Sequence, residues 1–244
     1  MKVTAVCHVH SEWSYDANWP LCDLAAEFAR RGCRVLLVTE HDRGFSELRF
    51  RQYRAACVEA SSGDLLVVPG IEYSDSNNVV HILTWGLGRF LGEGLPTLQL
   101  LERVSVENGV AVLAHPARRE AWTRYDSSWT SYLIGIEVWN RKADGWAPSL
   151  VAATLLSGTA LVPFASLDFH RRNQMFSLSM QLDISGAITE QNVVNCLRAR
   201  RCRAMAFSEP AEKFLTGWRR STLRLTERMR RSAALSYRSL KRFR

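Results

Sequence analysis

Six histidines carry most of the chemistry this sequence could do, and their placement is regular. His8 and His10 follow the apolar run 3–7, His41 follows 35–39, and His81 lies within 79–85. His115 closes 110–114, and His170 comes a few residues after 160–167. Acids stand at equivalent places: Glu72 after 65–71, Glu137 within 134–139, Asp168 after 160–167, and Asp16 shortly beyond His10. If these runs are parallel strands, the side chains converge on one edge of a sheet. Six imidazoles and several carboxylates crowded there would be badly desolvated or self-repelling unless they held cations. Mixed nitrogen and oxygen donors suit zinc, manganese or iron, and so many donors exceed what one ion takes. The pattern predicts a multinuclear site able to activate water and clamp phosphoryl oxygens. Each histidine alone is a weak signal, since buried imidazoles more often hydrogen-bond locally. Glu137 reads either as a ligand or as a group that orients one.

Helical patterns at 21–31, 46–60 and 97–108 separate the apolar runs and end at Gly32, Ser61-Ser62-Gly63 and Asn108-Gly109. A last helix is expected near 189–200. Strands alternating with helices imply parallel βαβ units, and seven such runs favour a closed or nearly closed barrel with its chemistry at the strands' carboxyl ends. The 244 residues are 47% hydrophobic and 23% charged, which excludes a wholly disordered or fibrous chain. No apolar run approaches the ~20 residues of a spanning helix. The first residues lack the pattern of a secretory signal. Cys7, Cys22, Cys33, Cys57, Cys196 and Cys202 show no CxxC spacing and read as reduced thiols of a cytoplasmic protein.

Net charge is +8, and the excess is confined to the C-terminal part: from Arg198 onward, 15 basic residues face only Glu209, Glu212 and Glu227. The expected division is a body over 1–210 and a basic tail over 211–244. In the tail Leu225, Met229, Ala233, Leu240 and Phe243 recur near helical spacing. That pattern fits a helix on an anionic membrane surface, a grip on a nucleic-acid backbone, or a solvated and partly disordered segment. With no base-reading motif, a nucleic-acid role rests on charge alone.

Seven segments together resemble the PHP (polymerase and histidinol phosphatase) family. They are His8-Val9-His10-Ser11 with Asp16, Thr39-Glu40-His41-Asp42, Gly70-Ile71-Glu72, Val80-His81-Ile82-Leu83, Ala114-His115-Pro116, Ile136-Glu137-Val138-Trp139-Asn140 and Ser166-Leu167-Asp168-Phe169-His170. They follow the family's order across about residues 1–200. The resemblance implies an α/β fold, a distorted (β/α)7 barrel, here with a basic C-terminal helical extension. It also implies two or three divalent metal ions (Zn, Mn or Fe) and phosphoester hydrolysis. One ion would be held by His8, His10, Glu72 and Asp168, a second by Glu72, His81 and His115, and a third by Asp16, His41 and His170. The sequence departs from the family in three ways. The stretch between His81 and His115 is too short for the cap of related bisphosphate phosphatases, Glu40 stands where Asp is frequent, and Arg171 follows the last motif where a small residue is common.

The expected chemistry is attack on phosphorus by a water or hydroxide held between metals. Arg118 and Arg171 are candidate phosphate clamps. Asp42 is a candidate acid–base group near the third ion, or else a helix cap. The stretch 122–129 (WTRYDSSW) could stack a base or sugar, or pack over the rim. The leading expectation is a phosphatase of small phosphate monoesters. The alternative is a 5′–3′ exonuclease or nucleotide phosphatase on RNA or DNA ends, gripped by the tail; a third is a non-catalytic metal-binding module that recruits partners.

Overall fold

The computed structural model describes residues 1–242. Its first half runs β1 (Lys2–Val9), α1 (Leu21–Arg30), β2 (Val35–Val38), β3 (Glu40–His41), α2 (Glu47–Ala60), β4 (Leu66–Val68), β5 (Gly70–Ser74), β6 (His81–Trp85), α3 (Thr97–Val106) and β7 (Val110–Leu113). The second half runs β8 (Leu133–Asn140), α4 (Arg141–Asp144), α5 (Val151–Leu156), β9 (Val162–Ser166), β10 (Leu178–Asp183), α6 (Glu190–Arg198), β11 (Cys202–Ala206), β12 (Glu209–Pro210) and α7 (Gly217–Arg242). Local chemistry accounts for the helices. In α1, Leu21, Leu24, Ala25 and Phe28 form the buried stripe. Ser46 caps α2 by accepting from the Arg49 N–H, and Thr189 caps α6 by accepting from the Asn192 N–H. Asp42 is therefore not the cap of α2.

Strand pairing makes two six-stranded sheets, in the orders β12-β11-β10-β1-β2-β4 and β3-β5-β6-β7-β8-β9. Among the described residues they do not form one closed ladder. Beyond the short breaks β2/β3 and β4/β5, the sheets meet where a bridge joins Val9 to Phe169. The expectation of all-parallel strands is corrected. Strand β6 runs antiparallel to β5 and β7, and β10 runs antiparallel to β1 and β11. Only six residues separate β5 from β6. That suffices for a hairpin, whereas a parallel crossover needs a dozen or more. Strands β10 to β12 lie beyond the seven runs that the sequence suggested.

Most strand residues near the site are buried on both faces, including all of β8, and the largest wholly enclosed side chains are Trp85 and Trp139. Trp129 is buried against the rim while Trp122 stays 44% exposed, so the tryptophan-rich stretch is only partly packing. All six cysteines are free thiols. No helix among the described residues is long and apolar enough to cross a membrane.

The basic tail is a helix docked on the body, with a different inward face from the one expected. Leu225 and Met229 are 58% and 64% exposed. The inward stripe holds Leu223, Thr226, the buried Glu227, and Arg230. Phe243 lies outside the described residues, as does the side chain of Leu240. An acid set among arginines replaces the apolar positions because the body offers Glu227 a donor, the Trp146 N–H at 3.1 Å.

Candidate metal centre

One end of the two sheets gathers all six histidines. His8 and His10 leave β1, His41 ends β3, Glu72 lies in β5, His115 follows β7, and Asp168 and His170 follow β9. His81 is the first residue of β6, not the last. Because β6 runs backwards, its N-terminal end lies level with the C-terminal ends of its parallel neighbours, and the convergence survives. Three of these residues have left-handed backbone: His8 (φ 59°), His115 (φ 24°) and Asp168 (φ 48°). The β1–β2 register shifts between Cys7 and Val9, so His8 is the bulged residue. Bulges re-aim side chains, and such backbone costs about 1–3 kcal/mol per residue when it is not glycine.

Glu72 is the hub. Its Oε2 lies 3.3 Å from His8 Nε2, 3.4 Å from His10 Nε2 and 3.1 Å from His41 Nδ1. Its Oε1 lies 2.7 Å from His81 Nδ1 and 3.0 Å from His115 Nε2. Asp168 Oδ1 stands 3.7 Å from both His8 Nε2 and His10 Nε2. Asp16 joins the outer side, with Oδ1 3.4 Å from His41 Nε2 and Oδ2 3.1 Å from His170 Nε2. Three trios each bring one donor atom per residue within 4.8 Å of one another: His8, His10 and Asp168; His8, Glu72 and His115; and His10, His41 and His170.

Supporting side chains hold two imidazoles with Nε2 facing inward. His8 Nδ1–H donates to Glu137 Oε1 at 2.8 Å. Glu137 Oε2 accepts from the His115 backbone N–H at 2.7 Å and from Asn140 Nδ2 at 2.9 Å. Glu137 is thus an orienting group. His10 Nδ1–H donates to Ser14 Oγ at 3.1 Å, and the Ser14 hydroxyl donates in turn to Glu40 Oε2 at 2.5 Å. Ser11 donates both its backbone N–H and its hydroxyl to Glu40 Oε1, at 3.0 and 2.7 Å. The tautomers follow from these partners, and such support is what a metal-binding imidazole requires.

The donor set fits divalent cations. His8 Nε2, His10 Nε2 and Glu72 Oε2 are buried and have no hydrogen-bond partner. Ligand atoms about 2.1 Å from a tetrahedral ion stand about 3.4 Å apart. The separations of 3.3, 3.4, 3.7 and 3.7 Å linking the His8/His10 pair to Glu72 and Asp168 match that spacing. The buried carboxylates draw positive charge into the centre: against the cost of burial, Glu137, Asp168 and Glu72 lift His8 well above the ordinary imidazole value. Burial alone would raise the Glu72 carboxyl, but His8, His81 and His41 hold it well below the usual carboxylate range. Burial together with His41 and His170 pushes His10 well below the ordinary imidazole value, which keeps its Nε2 lone pair free. Burial opposes a charge on His41, yet Glu72 and Asp16 lift it to about 10.

The remaining predicted residues sit around this cluster. Asp42 is buried, accepts from the Ser74 N–H at 3.2 Å, and is raised by burial to about 6. Arg118 brings Nη1 3.1 Å from His81 Nε2. Arg171 is exposed, next in sequence to His170, and lines one cavity with it. Two residues escaped the sequence reading. Lys142 places Nζ 3.2 Å from Asp168 Oδ1 and 3.1 Å from His170 Nε2. Tyr15 stacks on His41 at 5.2 Å while 62% exposed. Lys142 sits two residues past Asn140, the last residue of β8.

No protein-family model and no curated protein matches the sequence. Solved structures do match in fold. One is a two-domain protein from Bacteroides vulgatus containing a predicted PHP-like metal-dependent phosphoesterase. It is 16% identical with TM-score 0.66, over 84% of this chain and 65% of that one, so this chain spans less than two thirds of its length. Another is PsfC from Pseudomonas syringae, 15% identical with TM-score 0.61, over 96% and 99% of the two chains. A third is the lesion-specific endonuclease PfuEndoQ from Pyrococcus furiosus, 14% identical with TM-score 0.57, over 82% and 56%. The chain has the fold of PHP-like metal-dependent phosphoesterases.

Proposed function

We propose that the protein is a metal-dependent phosphoesterase that hydrolyses a small phosphate monoester. What carries the reading is the quartet His8, His10, Glu72 and Asp168, with buried donor atoms at metal-ligand spacing and three of them unpartnered. In this reading those four hold one ion, Glu72 with His81 and His115 a second, and Asp16, His41 and His170 a third. When bound, ions of the Zn, Mn or Fe type supply charge neutralisation for the phosphoryl oxygens and lower the pKa of water. The chain's own residues do the rest. Glu137 and Glu40 keep His8 and His10 in the metal-binding tautomer. Arg118 and Arg171 bind phosphoryl oxygens, Lys142 adds a third cation, and Asp42 moves a proton near neutral pH. We read the strands as a distorted seven-stranded barrel around this centre and the compartment as cytoplasmic, the latter on the free thiols alone.

A second reading makes the substrate an RNA or DNA end. It is favoured by the docked basic helix α7, and by the likeness in fold to an endonuclease.

Elemental analysis of the purified protein, combined with turnover of a phosphomonoester panel and of 5′-phosphorylated RNA, tests both. Two or three ions per chain with turnover abolished by chelation is the expected result, and the preferred ester chooses between the readings. Less than one ion per chain, with none taken up on addition, overturns them in favour of a non-catalytic fold.

A further inference from the structure

Beside the candidate metal centre lies a cavity of about 430 Å³ whose lining includes Asp16, His170, Asn173 and Gln174 together with four cations, Arg141, Lys142, Arg171 and Arg230. The one carboxylate of the lining, Asp16, is already engaged by His41 and His170. Two neighbouring guanidinium groups stand out. Arg141 carries a buried Nε with no hydrogen-bond partner and lies over the Phe176 ring at 5.2 Å. Burial and the neighbouring Arg230 both press against its charge. Lys142 is paired with Asp168 and Arg230 with Glu227, but Arg141 and Arg171 have no ion pair among the described residues, and this excess of guanidinium over free carboxylate calls for an anion.

Arg230 comes from α7, more than eighty residues along the chain from Arg141, and its position is built in rather than incidental. Glu227 is buried, accepts from the Trp146 N–H at 3.1 Å, and grips Arg230 through two bonds of 2.7 Å. The Arg230 guanidinium lies 5.8 Å from the centre of the Trp146 ring. Gly145 has φ 83°, and a Cβ there would stand 2.6 Å from Glu227 Cδ, so the loop is shaped to admit this carboxylate.

We infer that α7 forms one wall of the substrate site, where Arg141 and Arg230 bind a second phosphoryl group carried by the substrate beyond the one hydrolysed. The inference rests on the phosphoesterase reading above and narrows its substrate class to compounds with at least two phosphoryl groups. Guanidinium forks match phosphate oxygens, and a charge-assisted contact of this kind is worth about tenfold in binding. A small bisphosphate and the end of a nucleic-acid strand share this chemistry.

The test compares kcat/KM for a series of α,ω-alkanediol bisphosphates with that for the matching alkyl phosphates, using the full chain loaded with metal. A 5′-phosphorylated dinucleotide, compared with its nucleoside 5′-monophosphate, forms the second arm. Wild type is expected to prefer the doubly phosphorylated member of at least one arm. Arg230→Gln should cut that preference about tenfold, Arg141→Gln likewise, and Arg230→Lys should recover part of it. The arm with the larger preference identifies the source of the second phosphate. A preference unchanged in both glutamine variants overturns the proposal, as does no preference in wild type. Should no ester be turned over, the phosphoesterase reading fails. Calorimetric titration with the same bisphosphates then decides separately: loss of binding in Arg230→Gln supports the pocket, and equal or absent binding overturns it.

Discussion

The metal-ligand cluster and helix α7 are held in opposite ways. In the cluster, most functional side chains stand in, or within a few residues of, strands paired into the two sheets. His41 and Glu72, for example, lie directly opposite each other in the β3–β5 register. The cluster is buried, gathered on Glu72 and supported by Glu137 and Glu40. Helix α7 is mostly exposed and is held by a few contacts: the buried carboxylate Glu227, set between Trp146, Arg230 and Arg231, the Arg219–Glu209 ion pair, and Leu223 packed against the core. Many paired strands make the centre rigid, whereas a few local contacts leave the helix easier to detach.

Three perturbations, from largest effect to smallest, break or sharpen that contrast. Glu72→Ala removes the hub that meets five histidines, leaving crowded imidazoles without their shared carboxylate. Turnover is expected to fall roughly a thousandfold, the several kcal/mol of charge stabilisation that bound metal supplies, with metal content falling in parallel. Metal-to-protein ratio and phosphomonoester kinetics check this, and a variant that keeps both would deny Glu72 its place as hub. Glu137→Gln turns an acceptor of three hydrogen bonds into a mixed donor and acceptor beside His8. Metal affinity should drop about ten- to a hundredfold, measured by competition with a chelator, while thermal stability changes little.

The smallest effect belongs to the helix. Glu227→Gln is expected to weaken docking of α7 by about 1–3 kcal/mol, seen as faster amide exchange across residues 217–234 with the strand amides unaffected. Arg230, Arg231 and the Trp146 N–H outweigh burial and pull the Glu227 carboxyl down to about 2. An acid depressed in the folded state stabilises fully above its ordinary value of 4.5 and loses that contribution as pH falls toward 2. Wild-type α7 should therefore loosen over that acid window, after exchange rates are corrected for intrinsic pH dependence, and Glu227→Gln should be loose throughout. Equal pH profiles in the two proteins would remove Glu227 as the anchor.

Much of the centre was legible from residue order. The nine proposed ligands stand at or just beyond the apolar runs, and the structure gathers all nine at one end of the sheets. Strand and helix positions were also readable to within a few residues, because apolar periodicity and turn residues are local signals. The direction of β6 was not readable from the apolar run alone, although the shortness of its connection to β5 held the clue. Nor was the role of Glu137, since an acid in an apolar strand looks the same whether it binds metal or orients a neighbour. Lys142 was missed because a lysine after a strand is ordinary until its neighbours in space are known.

What the sequence by itself determined is which residues lie at strand ends and that their combined chemistry calls for cations, since both follow from spacing and side-chain type. Only the tertiary structure decided the left-handed turns that aim His8, His115 and Asp168, and the docking of α7 beside the site. Both depend on contacts between residues distant in sequence. A residue held at positive φ persists only where its surroundings over-determine it, and an arginine-rich helix takes its inward face from where a partner for Glu227 happens to stand.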